Sequence, residues 1–133
     1  MNPGRLQGFL RDDRGAAAVE FAIVSSAFLS LVIGICYVGI MLFTNLSMHW
    51  AVEKAVRTAM LNPSVSQATL SSEVNSYLTS MGLPTATVTY SVGQQGTVPT
   101  GHINATLAQT YVVPLVSTFN ITYVADAYIA QNT

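Results

Sequence analysis

The chain has 133 residues, 50% of them hydrophobic and only 8% charged, with a formal net charge of −1. That charge density is far below the roughly 25% of ordinary soluble domains, and the near-neutral balance gives no electrostatic basis for binding nucleic acid. The single cysteine, Cys36, excludes an intramolecular disulfide and a cysteine-based zinc cage.

The first fifteen residues read as a polar leader carrying Arg5, Arg11 and Arg14. The stretch RGAAAVEFAIV follows from Arg14, and its Glu20 is the only charged residue between Arg14 and Glu53. A carboxylate inside hydrocarbon costs at least about 2.5 kcal/mol by analogy with the insertion scales, so Glu20 needs an interface or a partner. From Phe21 to Phe43 the run FAIVSSAFLSLVIGICYVGIMLF is long enough to cross a bilayer. The rest of the chain is too small to wrap so long an all-round apolar helix. Lys and Arg are absent beyond the span until Lys54 and Arg57, so the positive-inside rule puts the N-terminus in the cytoplasm. Residues from about Asn45 onward are then expected outside.

A secretory signal has a short apolar core followed by small residues at a cleavage site. Here the small residues precede the apolar run and the run is too long. Two readings fit: an uncleaved signal anchor, or a leader cut on the cytoplasmic side.

Beyond the span, His49 and Trp50 suit the headgroup level. AVEKAVRTAMLN then resumes helical periodicity, with Val52, Ala55, Val56, Ala59 and Met60 expected on one face. Asn62-Pro63 ends the helix. A helix from Ala16 to Leu61 would measure roughly 69 Å. A second helix is predicted over 67–81, with Ser66 as N-cap, an apolar stripe of Leu70, Val74, Tyr77, Leu78 and Met81, and Gly82 as the C′ residue.

After Leu83-Pro84 the period changes to two. TATVTYSV (85–92) alternates, with Ala86, Val88, Tyr90 and Val92 on one face. GQQGTVPTG (93–101) reads as a loop. A second strand is predicted over 102–113, stopped by Pro114. A third is predicted over 120–130, with Ile121, Tyr123, Ala125, Ala127 and Ile129 facing inward. The expected fold class is α+β: a long N-terminal membrane-spanning helix, a second amphipathic helix and a small antiparallel sheet of about three strands. The expected division is 1–15 leader, 16–62 transmembrane helix extended as an amphipathic spine, and 63–133 outer α+β domain.

Catalytic chemistry has little local support. His49 and His102 have no Cys, Asp or Glu at metal-ligand spacing. The outer acids Glu53, Glu73 and Asp126 are far apart in sequence, and Asp126 is assigned to the solvent face of its strand. Gly93 and Gly96 precede no helix, so no phosphate loop forms. The sequons at Asn45, Asn104 and Asn120 are short enough to arise by chance. No enzyme and no cofactor is expected.

The form RDDRGAAAVEFAIV, Arg11 through Val24, resembles TadE-like pseudopilins of tight-adherence (Tad/Flp) type IV pilus systems, and AVEKAVRTAM (51–60) is similar to the segment after the span in that family. The resemblance implies a pilin-like fold and cleavage between Gly15 and Ala16 by a prepilin peptidase. Glu20 would become the fifth mature residue, an assembly charge followed by the aromatic Phe21. A new amine at Ala16, with a pKa near 8, would be mostly protonated at neutral pH, and a buried carboxylate–amine pair is tolerated where a lone charge is not. The implied role is that of a minor pseudopilin in the bacterial inner membrane, with its C-terminal domain periplasmic or exposed on a pilus. Implied partners are the prepilin peptidase, other pilins, the assembly platform and membrane lipid. The alternative is an uncleaved, signal-anchored periplasmic binding module.

Overall fold

The structure is a computed structural model and describes residues 13–113 and 117–130. The leader arginines Arg5 and Arg11 and the strand-ending Pro114 lie outside the described residues. In chain order the elements are helix α1 (Asp13–Leu61), helix α2 (Gln67–Ser80) and strands β1 (Thr87–Gln95), β2 (Val98–Val113) and β3 (Ser117–Ala130). One antiparallel three-stranded sheet has the order β1-β2-β3, so the fold is α+β as predicted. Two compact units divide the chain, Met1–Ile40 and Met41–Thr133, with α1 running through the boundary. The described part of helix α1 already includes Asp13, Arg14 and Gly15, ahead of the Ala16 start used for the expected length.

In the first unit most of the described apolar side chains are exposed. Phe21 is 74% exposed, and Ile23, Phe28 and Ile35 are each 64% exposed. The helix is long and apolar enough to span a membrane. Two of its serines are satisfied within the helix, as hydrocarbon would demand: Ser26 Oγ donates to Ile23 O and Ser30 Oγ to Ser26 O, both at 2.8 Å.

The second unit has one core. Helix α1 contributes Met48, Ala51, Val52, Ala55 and Ala59, and α2 contributes Leu70, Val74 and Leu78. Ile103, Ala105, Leu107, Tyr111, Tyr123, Ala125 and Ile129 come from the inner sheet face, with Val88 from β1. The α1 stripe starts earlier than the periodicity suggested, because Thr44 and Ser47 are also buried. Met60 is not part of it. At 58% exposure it points away, since one residue beyond Ala59 turns the side chain by about 100°. Val56 is half-buried, and Val92, nearer the hairpin turn, is exposed.

Helix α2 is closed at both ends. Ser66 Oγ accepts from the Thr69 N–H at 3.2 Å. At the other end the Leu83 N–H reaches Leu78 O at 2.9 Å and the Gly82 N–H reaches Thr79 O at 3.0 Å, with Gly82 at φ 74. These bonds form a Schellman motif, and the buried pair Leu78 and Leu83 supplies its hydrophobic contact. The same helix guards the outer edge of β1. Asn75 Nδ2 donates to Ala86 O and its Oδ1 accepts from the Ala86 N–H, while Gln67 Nε2 donates to Val88 O and its Oε1 accepts from the Tyr90 N–H. Two side-chain amides thus stand in for a further strand.

The nine-residue loop expected at 93–101 does not form. Gln94 pairs with Pro99 and Gln95 with Val98, leaving a two-residue turn, Gly96-Thr97. Gly96 has φ 69 at the first central position, where type II′ hairpin turns require glycine. Pro99 is tolerated inside β2 because the pairing with β3 starts only at Thr100.

Candidate functional site

Gly15, Ala16, Glu20 and Phe21 all lie on α1 and are exposed. Gly15 and Ala16 are within the helix, and a side chain added at Gly15 would meet nothing within 4 Å. Glu20 stands in an apolar surface made by Val19, Phe21, Ile23 and Val24, each at least 60% exposed.

A second constellation was not legible from local spacing. The register sets His102 opposite Tyr128 and Asn104 opposite Asp126 on the outer sheet face. Asp126 Oδ1 accepts from Asn104 Nδ2 at 2.6 Å and lies 3.0 Å from His102 Nε2. This contact ties together a histidine and an acid 24 residues apart. An ionised carboxylate only accepts, so His102 Nε2 carries a proton on the Asp126 side. The His102 ring stacks on Tyr128, with centroids 4.4 Å apart and planes at 14°. The Asn104 hydrogen bond is the main reason that the Asp126 carboxyl is held below its usual pKa. Partial burial opposes it, and the hydrogen bond and charge of His102 add to it. Among the described residues no third His, Cys, Asp or Glu joins this pair to make a metal site.

On the inner face a hydroxyl network crosses the core. Tyr111 OH donates to Gln109 Oε1 at 2.8 Å, so the 2.8 Å contact with Tyr123 OH is donated by Tyr123. Thr44 Oγ1 of α1 lies 3.5 Å from Tyr111 OH. Burial raises the Tyr123 phenol well above its ordinary pKa, and the hydrogen bond and charge of Tyr111 push it further, while Thr44 opposes them. No ionisation is required of this network: it satisfies polar groups in a dry layer.

The cations with described side chains lie elsewhere. Lys54 and Arg57 line a groove with Trp50, Glu53 and Tyr77, where Lys54 Nζ is 5.8 Å from the Tyr77 ring centroid.

The described chain thus combines a helix long and apolar enough to cross a membrane with a second helix and a three-stranded antiparallel meander. Residues 15–57 match the family described as TadE-like protein, the family that Arg11–Val24 and 51–60 resemble. The match runs along α1 and does not reach the sheet. No curated protein and no solved structure matches the chain.

Proposed function

We propose that this protein is a minor pseudopilin of a tight-adherence pilus, with its leader removed between Gly15 and Ala16 by a prepilin peptidase. The observation that carries the reading is the TadE-like match beginning at Gly15 and running along a helix whose large apolar side chains Val19, Phe21, Ile23, Val24, Phe28, Leu31 and Ile35 are exposed. That surface needs lipid before assembly and other pilin helices after it. Glu20 then pairs with the new amine of a neighbouring subunit, and Phe21 begins the packing surface. The N-terminus stays in the cytoplasm and the domain from residue 63 onward is periplasmic, or displayed on a pilus. The assembly platform and other pilins are the partners.

Mature mass is the test. Co-expression with an active prepilin peptidase should give a chain starting at Ala16, and Gly15→Val should block the cut. Intact Met1–Thr133 as the sole species would reject the pseudopilin and leave a signal-anchored module. Reporter fusions after Thr133 should report only from the periplasm.

A further inference from the structure

We propose that the outer sheet face carries a binding subsite for a single neutral pyranose ring. The site is a concavity of about 180 Å³ lined by Ser91, Gly93, Gln94, Thr100, His102 and Tyr128. Its size suits one sugar ring rather than a drug-sized ligand. Three features select the chemistry. Tyr128 is 63% exposed, yet its ring is held by stacking on His102. His102 covers one face of the ring, and the remaining face receives the C–H face of a pyranose, because the ring's negative quadrupole meets weakly positive hydrogens.

Around that platform stand groups that give and take hydrogen bonds without a formal charge: the Ser91 and Thr100 hydroxyls and the Gln94 amide. Asp126 holds the His102 ring through Nε2, and its shared oxygen is already engaged by Asn104 and His102. Gly93 opens the space. It is not in a left-handed conformation, and a Cβ there would meet nothing within 4 Å, so the missing side chain is room rather than backbone necessity.

Charge excludes the neighbouring ligand classes. Among the described residues no Lys or Arg lines the concavity, so a sugar acid or a nucleotide phosphate lacks a permanent counter-charge there. The inference does not depend on leader cleavage or on pilus assembly.

The test uses the full chain in phosphatidylcholine nanodiscs, avoiding sugar-headed detergents. Saturation-transfer NMR is recorded with methyl glucoside, methyl galactoside, methyl mannoside and N-acetylglucosamine, beside glucuronic acid, glucose 6-phosphate and adenosine. At least one neutral pyranose should receive saturation and titrate with a Kd of about 1 mM, the scale expected for a ligand of that few atoms. Gly93→Val fills the concavity and Tyr128→Leu removes the platform. Each should weaken binding at least tenfold while its urea midpoint stays near wild type. Transfer only to the charged sugars or to adenosine, equal binding by Gly93→Val, or no transfer to any neutral pyranose would overturn the proposal.

Discussion

Replacing Gly82 by alanine isolates the conformational cost of one dihedral angle. Gly82 has φ 74, and a Cβ built there touches nothing within 4 Å, so crowding contributes nothing. Holding an L-residue in the left-handed region costs about 1–2 kcal/mol. Alanine narrows the unfolded ensemble and returns about 0.4–1 kcal/mol. The net loss is therefore about 1 kcal/mol, and it falls on the Schellman closure that seats Leu83 beside Leu78. For a unit of this size it lowers Tm by about 4–8 °C, or the urea midpoint by about 0.5 M at a typical m-value. Trp50 is the only tryptophan and shares a groove with Tyr77 of α2, so its fluorescence reports on this unit. Urea titration of the full chain in nanodiscs is the assay. Gly82→Asn should lose less, since asparagine tolerates this region. Gly93→Ala, also uncrowded but without the positive φ, is the control and should change little. An unchanged Gly82→Ala midpoint, or a larger loss in Gly93→Ala, would refute the assignment of the cost to the dihedral.

Leu78→Ala empties a fully buried position and should cost about 2–5 kcal/mol by the same titration, whereas Leu61→Ala, at 87% exposure, should stay within about 0.5 kcal/mol. Asp126 has a folded-state pKa lowered from 3.8, so the native protein binds fewer protons and the stability contributed is present above about pH 4 and lost as pH falls through the folded value. Asp126→Asn should flatten that part of an acid titration followed by Trp50 fluorescence, and an unchanged acid limb would contradict the linkage. Glu20→Leu should leave membrane abundance and leader cleavage intact while pilus yield falls, with Glu20→Gln nearly as defective and Glu20→Asp milder. Full piliation by Glu20→Leu would reduce the carboxylate to an interfacial marker.

The helices were readable because their signals are local. Ser66, Gly82 and the Leu70–Val74–Leu78 spacing each act within a turn or two, and all three hold. The inward faces of β2 and β3 were equally open to a period-two reading at Ile103, Ala105, Tyr123 and Ala125. Composition misled at 93–101, where Gly, Gln and Pro suggest a loop but cross-strand pairing needs only Gly96 and Thr97 to turn. It also hid how far the core reaches back along α1, because Thr44 and Ser47 look like surface residues until Tyr111 is seen to arrive from 67 residues away. The His102–Asp126 contact depends on register. The alternation that placed Asp126 on the wet face could have placed His102 there too, but only the β2–β3 pairing brings them level.

The order β1-β2-β3 makes spatial neighbours of sequence neighbours, and this sets how the domain can be completed as it is delivered amino-terminus first. Contacts of short sequence separation close early and at low entropic cost. Strand β2 folds back on β1 through two residues, and nothing in that hairpin waits for later chain. The vulnerable interval opens once Val113 has emerged and lasts until Ala130 is in place. Throughout it the far side of β2 is an open row of N–H and C=O groups, with no helix amides to stand in as Gln67 and Asn75 do for β1. A chain that stalls in that interval presents the fourteen-residue edge Thr100–Val113 for pairing with its neighbours, so the last strand is the segment whose loss turns the folding domain into an aggregating one.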